Sequence, residues 1–206
     1  MKVIYCAGEQ ARVLLDILQR CDDDEEVVLI DDDDSRHGER IDGVEVSGGS
    51  RMLERLSPDE DRCLVAYGQP GDTRTAIARR IANAGFSFFS AIDPEATVSS
   101  TAVVGDGVTV NAQTYLGPGV EIADHVLVDS AVNVSHDTHL ERGVTVTPNA
   151  SIAGNSIVRK NAYVGTGATI VDHVTVGAGA IVGAGATVTE DIAPEATVVG
   201  TPARPI

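Results

Sequence analysis

Aliphatic residues recur at every sixth position through the second half of the chain, without one slip of register. They are Ile92, Val98, Val104, Val110, Leu116, Ile122, Val128, Val134, Leu140, Val146, Ile152, Val158, Val164, Ile170, Val176, Val182 and Val188. A small or β-branched residue follows four positions after each of them, as at Ala96 and Ala102. Neither a helical nor a strand period explains this spacing, whereas the sides and corners of a triangular parallel β-helix do. The pattern predicts a solenoid of about five to six coils, with three hexapeptides in each coil.

The first ninety residues have no such period and instead alternate between apolar runs and amphipathic segments. Strands are predicted at residues 2–6, 27–30, 43–46 and 63–66, and helices at 9–21, 50–56 and 72–84. This alternation is typical of a parallel sheet with helices on its faces. We therefore expect a small Rossmann-like α/β domain over residues 1–91, followed by an all-β solenoid domain over residues 92–206 with a C-terminal tail.

Charge and composition exclude several classes of protein. The formal net charge is −16, with thirteen Arg and two Lys, which resembles halophilic proteins and argues against a nucleic-acid partner. No apolar stretch reaches membrane-spanning length, and the chain does not begin like a signal peptide. The three cysteines have no metal-type spacing and fall in predicted strands or helices, which indicates buried thiols in a reducing compartment. We expect a cytoplasmic protein that does not bind membranes.

The ends of the predicted strands in the first domain carry candidate ligand-binding residues. In parallel sheets, ligands bind at the carboxyl ends of the strands, and a helix that begins there offers unpaired amides to a phosphate. The candidates are Gly8, Glu9, Gln10, Asp31, Asp32 and Gly68. The first turn has one glycine where a phosphate loop normally has two or three, so an ordinary strand-to-helix turn is an equally good interpretation.

His136 is the best candidate for a catalytic side chain. It lies at an outward position of its hexapeptide and is followed by Asp137, which could orient the imidazole. Eighteen residues later, one coil above, stands Gly154, which predicts an open space beside the ring. The other solenoid histidines are expected at the surface rather than in the core. A three-histidine metal site, as in the β-helical carbonic anhydrase, is an alternative that the spacing of the histidines does not support, and we expect no metal.

Several motifs together resemble one family over essentially the whole chain. They are Leu29-Ile30-Asp31-Asp32, Gly68 with Arg74, Ser135-His136-Asp137, Ala153-Gly154-Asn155 and the tail Val199-Gly200-Thr201-Pro202-Ala203-Arg204. The chain resembles the family of sialic-acid O-acetyltransferases and bacillosamine-type UDP-amino-sugar N-acetyltransferases, which are hexapeptide-repeat acyltransferases. The resemblance implies a left-handed β-helix and transfer of acetyl from acetyl-CoA to an amino or hydroxyl group of a sugar. The acceptor is most often a nucleotide-linked 4-amino-4,6-dideoxy sugar, and the outward apolar faces indicate a homotrimer.

The resemblance also implies roles for individual residues. His136 corresponds to the catalytic base and Asp137 to the acid that makes it more basic. Residues corresponding to the acetyl-CoA cleft are Gly154, Thr166 and Ala184, and those around the nucleotide sugar are Gly8, Glu9, Gln10, Asp31, Asp32 and Gly68. Thr145 stands where members usually carry a second histidine near the acetyl or pantetheine group. A trimeric nucleotide-binding scaffold without activity, or O-acetylation of another small acceptor, are the alternatives.

Overall fold

The computed structural model describes residues 1–22 and 24–206, and its first part is a four-stranded parallel sheet between two helices. The elements are β1 (Lys2–Tyr5), α1 (Glu9–Arg20), β2 (Val27–Ile30), β3 (Arg40–Ile41), β4 (Val44–Glu45), β5 (Arg62–Val65), α2 (Thr73–Asn83) and β6 (Ser87–Phe88). The strand order is β2-β1-β5-β6. Side chains of β1 alternate between two apolar cores, with Ile4 packed in the α1 cluster and Val3 and Tyr5 in the α2 cluster.

Three details of the first domain differ from the sequence prediction. The short strand predicted at residues 43–46 is present as β4, but it pairs with β3 as an antiparallel hairpin, and its contact with the parallel sheet is a single bridge between Val46 and Leu29. The predicted helix at 50–56 is a 3-10 helix, Ser50–Arg55. Of the three cysteines expected to be buried, Cys63 is buried and Cys6 is half-buried, but the expectation is wrong for Cys21, which is exposed because it follows the last turn of α1.

The second part is the expected β-solenoid, and its strands are two or three residues long. In chain order they are β7 (Ala91–Ile92), β8 (Thr97–Val98), β9 (Val103–Val104), β10 (Thr109–Val110), β11 (Tyr115–Leu116), β12 (Glu121–Ile122), β13 (Leu127–Val128), β14 (Asn133–Val134), β15 (His139–Leu140), β16 (Thr145–Val146), β17 (Ser151–Ile152), β18 (Ile157–Val158), β19 (Tyr163–Val164), β20 (Thr169–Ile170), β21 (Thr175–Val176), β22 (Ile181–Val182), β23 (Thr187–Val188), β24 (Thr197–Val199) and β25 (Arg204–Pro205).

These strands form the three sides of a prism. Side 1 contains β7, β10, β13, β16, β19, β22, β24 and β25; side 2 contains β8, β11, β14, β17, β20 and β23; side 3 contains β9, β12, β15, β18 and β21. From β7 to β23 partners in the register are eighteen residues apart, as in the pairs Val110 with Val128 and Val128 with Val146, whereas β22 and β24 pair sixteen residues apart and β25 is antiparallel to β24. The aliphatic residue of each hexapeptide fills the interior, and from Val110 to Val188 these residues are at most 2% exposed. The predicted fold class is confirmed.

The first domain packs against side 1 and the corner that precedes it. Phe88 meets His125 edge to face with ring centroids 4.6 Å apart, and Arg20 of α1 donates to Asp93 at 2.8 Å. Arg74 of α2 donates to backbone carbonyls of the solenoid. The two parts therefore enclose a cleft between them. No helix in the described part of the chain is long and apolar enough to cross a membrane.

Candidate active site

His136 and Asp137 lie at the corner between sides 2 and 3, in the turn that joins β14 to β15. The imidazole Nδ1 lies 2.9 Å from the Asp137 Oδ2, and both side chains are more than half exposed, at 58% and 61%. With Nδ1–H donating to the carboxylate, Nε2 carries the free lone pair. The arrangement is that of an oriented imidazole able to accept a proton from a molecule outside the solenoid.

Two glycines make room for this pair. A Cβ at Gly154, one coil above, would lie 2.6 Å from Cε1 and 2.7 Å from Nε2 of His136. A Cβ at Gly119, one coil below, would lie 2.5 Å from Oδ1 of Asp137. The sequence predicts an open space beside the ring at Gly154, but the imidazole itself occupies that space. Gly154 therefore fixes where the ring lies, because any side chain there would displace it.

The remaining solenoid histidines are placed differently from one another. His139 is exposed on side 3, with Nδ1 3.0 Å from Glu121 Oε2. His173 lies at the same corner as His136, with Nε2 3.8 Å from Asp172. The expectation that none is a core histidine is wrong for His125, which is 6% exposed because the first domain covers its corner. Burial, reinforced by the nearby Arg142, lowers the pKa of His125 to about 4, so this ring is neutral at pH 7.

A cleft of about 560 Å³ lies between the first domain and the solenoid. Six of the sequence-predicted residues line it: Gly8, Glu9, Gln10, Asp31, Gly68 and Thr166. Gly8 caps α1 without a side-chain hydrogen bond, so within the described residues the amides of Glu9 and Gln10 are open at this wall, whereas the amide of Ala11 donates to Gly8 O at 3.1 Å. Gln10 Nε2 is buried with no hydrogen-bond partner among the described residues, which leaves a donor available to a bound molecule.

The two predicted aspartates behave differently. Asp31 lines the cleft, but its carboxylate also accepts from the amides of Ala7 at 2.7 Å and Asp33 at 2.9 Å, which fixes the turn. Asp32 is not among the cleft-lining residues, and its Oδ2 accepts from Tyr5 at 2.6 Å and from Arg80 at 2.9 Å. Burial opposes ionisation, but these hydrogen bonds outweigh it and hold the pKa of Asp32 below its ordinary value. Asp32 therefore ties β1 and β2 to α2.

The predicted acetyl-CoA residues do not come together within one chain. Thr166 and Ala184 are exposed at the corner between sides 1 and 2, whereas His136 and Gly154 lie at the corner between sides 2 and 3. Thr145 is on side 1, only 3% exposed, and its hydroxyl accepts from Arg74 at 2.9 Å. Its hydroxyl is therefore turned to the first domain and does not face His136.

Sequence reasoning missed several residues that line the cleft. They are Cys6, Arg36, Ala66, Tyr67, Gln69, Leu127, Asp129, Thr147, Pro148 and Tyr163. Arg36 is the single cation among the described residues that line the cleft, and its Nη1 would lie 3.9 Å from a Cβ at Gly8. A signal for it was present, since an arginine follows the acidic run after β2, at the same sheet edge as the first turn. No group of three His, Cys, Asp or Glu within residues 1–22 and 24–206 is arranged to hold a metal ion.

Comparison with known proteins identifies the family. Residues 3–81 match the PglD N-terminal domain. The whole chain superposes on the acetyltransferase domain of PglB from Neisseria gonorrhoeae FA1090, with 33% identity, 98% of that chain covered and a TM-score of 0.94. It also superposes on a histidine-to-alanine variant of GDP-perosamine N-acetyltransferase from Caulobacter crescentus in complex with CoA and GDP-perosamine, with 31% identity, 96% of that chain covered and a TM-score of 0.93. The chain belongs to the bacillosamine-type sugar N-acetyltransferase family.

A shorter match lies within the same class of enzyme. A segment of 108 residues is 32% identical to UDP-3-O-acylglucosamine N-acyltransferase from Caulobacter sp. (strain K31), and spans 32% of that protein and 50% of this chain. The PglB domain has also been solved in complex with acetyl coenzyme A. The expectation of an acetyl-CoA-dependent sugar acetyltransferase is confirmed at the level of the family, with acetyl-CoA as the co-substrate.

Proposed function

We propose that this protein transfers the acetyl group of acetyl-CoA to the amino group of a nucleotide-linked amino sugar, with His136 as the general base. The observation that carries this proposal is the His136–Asp137 pair, with Nδ1 2.9 Å from Oδ2 and the ring fitted against Gly154 of the next coil. A structural histidine would not need both a carboxylate on one nitrogen and a glycine beside the other. The relative from Caulobacter crescentus, whose complex contains CoA and GDP-perosamine, supports the substrate class.

The chemistry follows from the orientation of the ring. The neutral sugar amine attacks the thioester carbonyl carbon, Nε2 of His136 takes a proton from the attacking nitrogen, and the C–S bond breaks. The proton then passes to the departing thiolate, which leaves as CoA. Asp137 accepts from Nδ1–H throughout, so it holds the tautomer and stabilises the imidazolium that forms. The reaction needs no covalent acyl-enzyme.

One part of the cleft suits the nucleotide part of the acceptor, namely the part around Arg36. Most charged groups that line the cleft are acidic and repel a diphosphate: they are Glu9, Asp31 and Asp129. Arg36 is the one cation among the described residues of the lining. Arg36 lies beside the open amides at the start of α1, and within residues 1–22 and 24–206 only its Nε is engaged, by Glu39 at 3.2 Å. A guanidinium and a helix N-terminus together bind phosphate oxygens well. We assign the diphosphate to this end of the cleft.

The base and the cleft belong to different corners of the prism, so a complete site requires two copies of the chain. In a homotrimer, the corner of one subunit that carries His136 faces the neighbour's corner that carries Thr166 and Ala184. The acceptor would then bind in the neighbour's cleft and present its amine to His136, with acetyl-CoA between the two corners. This arrangement also explains why the predicted acetyl-CoA residues are separated within one chain.

Activity is tested by release of the CoA thiol with acetyl-CoA and a panel of UDP-, GDP- and dTDP-linked amino sugars. Turnover of at least one of these sugars, and none of the corresponding free sugars, is the expected result. Nucleotide binding without thiol release from any acceptor would favour the scaffold alternative. Turnover of a hydroxyl analogue faster than the amine would establish O-acetylation instead.

The shared site is tested by mixing two inactive variants, His136→Asn and the charge-reversed Arg36→Glu. If each site takes its base from one subunit and its cleft from the next, random trimers of a 1:1 mixture regain about a quarter of the sites. Light scattering of each variant checks that it remains trimeric. A mixture of trimers that regains no activity after subunit exchange would place both groups in sites within one chain.

A further inference from the structure

Arg74, in the first turn of α2, is a buried cation whose hydrogen-bond acceptors are all neutral. The residue is 5% exposed, and burial lowers its pKa to about 10, so the guanidinium is charged at pH 7. Its five recorded acceptors are Tyr67 O at 2.5 Å, His125 O at 2.8 Å, Gly143 O at 2.8 Å, Val144 O at 2.9 Å and Thr145 Oγ1 at 2.9 Å. Within residues 1–22 and 24–206, no carboxylate lies within ion-pair distance of it.

The acceptors belong to the two walls of the cleft. Tyr67 lines the wall formed by the first domain, next to Gly68. His125 and Gly143 are eighteen residues apart, at the corner between sides 3 and 1 on successive coils, and this corner leads into the strands that form the other wall. One rigid, planar group therefore joins the loop after β5 to two coils of the solenoid.

Burying a charge in this way is costly, and apolar residues can hold two domains together at a lower cost in free energy. Apolar packing cannot hold several carbonyl oxygens at fixed distances from one another. The N–H donors of one guanidinium can, because each donates in a set direction. We propose that Arg74 is a positioning residue that sets the separation of the two cleft walls, and thereby the affinity for the nucleotide-linked acceptor. The inference rests on the proposed function, since it takes the cleft as the acceptor site.

Another arginine between the two parts of the chain provides a matched control. Arg20 of α1 donates to Asp93 at 2.8 Å and pairs with Glu95 at 2.9 Å, so it also links the first domain to the solenoid. None of these three residues lines the cleft. Removing Arg20 should weaken the contact between the domains without moving the cleft walls.

The experiment compares Arg74→Met, Arg74→Lys and Arg20→Met with the full-length wild-type protein. For Arg74→Met we expect the KM of the acceptor to rise by about tenfold or more, because displaced walls would lose the equivalent of one or two charge-assisted hydrogen bonds to the acceptor. The KM of acetyl-CoA should stay within about twofold of the wild-type value. Arg74→Lys keeps the charge but has a single donor atom, so it should restore part of the affinity. Arg20→Met should lower Tm and leave both KM values unchanged.

Titration with UDP and GDP gives a second readout that does not depend on turnover. If the wild type binds a nucleotide but acetylates no sugar, the proposed function fails while the Arg74 comparison still applies to nucleotide affinity. If Arg74→Met does not fold, Thr145→Val removes one acceptor with little change in volume and should raise the acceptor KM by a few-fold. Folded Arg74 variants with lower Tm but wild-type acceptor KM and nucleotide affinity would overturn the inference.

Discussion

The solenoid and the first domain position their functional side chains by different means. In the solenoid every coil repeats the last, so the side chain of His136 lies against Gly154 one coil above, and that of Asp137 against Gly119 one coil below. In the first domain each wall of the cleft is a separate loop, held by its own contacts, such as Asp31 on the amide of Ala7. In a repeating sequence, a functional residue can be recognised because it departs from the repeat. In a sequence without a repeat, it can be recognised only from the folded positions of the loops.

The largest effect is expected from removing the proposed base, His136. His136→Ala should lower turnover by about 10²–10⁴-fold, the usual contribution of a positioned general base, and leave the fold and the proposed trimer intact because the side chain lies outside the aliphatic core. His139→Ala is the matched control, since His139 is also exposed and paired with a carboxylate, Glu121, but lies on side 3. Steady-state kinetics of both variants measure the difference. A larger loss in His139→Ala would place the chemistry on side 3.

The same contrast explains how much of the structure could be predicted from the sequence. The six-residue period determines the solenoid and the register of its strands up to Val188, and it marks His136 and Gly154 as neighbours. It could not show that the first domain covers His125, because that burial depends on a contact with Phe88, distant in sequence. Asp31 and Asp32 are adjacent in sequence but point into different surroundings, as neighbours at a strand end do. No sequence pattern distinguishes the two.

A second test concerns the repeating frame itself. Gly154→Ala should lower turnover by about 10–100-fold if His136 is the base, because the added methyl would lie 2.6 Å from the imidazole and displace it, and a shift of about 1 Å is costly for a catalytic group. The matched control is a double-mutant cycle. In the His136→Ala background, Gly154→Ala should cost nothing further. Equal losses in both backgrounds would mean that Gly154 contacts acetyl-CoA directly rather than acting through the ring.

The junction of the two regions should make stability dependent on pH. His125 has a folded pKa of about 4, below the ordinary value of 6.5, so the unfolded chain binds the proton first. Its contribution to stability is complete above pH 6.5 and is lost as the pH falls from 6.5 towards 4, by about 1–2 kcal/mol between pH 7 and pH 5. Urea unfolding of the wild type and of His125→Asn at pH 7 and pH 5 measures the contribution of His125 to the free energy of unfolding, because the two proteins share all other titrating groups. An identical change in the two proteins would contradict it.

The smallest effect is expected at the end of β1, where the first domain has no repeat to impose its backbone. Cys6 has φ of +74°, a left-handed conformation that costs a residue with a Cβ about 1 kcal/mol. Burial raises the pKa of its thiol to about 12, so the side chain stays protonated and packs as a small apolar group. Cys6→Gly should therefore be more stable than Cys6→Ala by about 1 kcal/mol in urea unfolding. At Cys63, buried in β5, the order should reverse, because glycine weakens a strand. If alanine were the more stable replacement at both positions, the left-handed backbone at Cys6 would cost no free energy. The irregular loops of the first domain would then be no more strained than the corners of the solenoid.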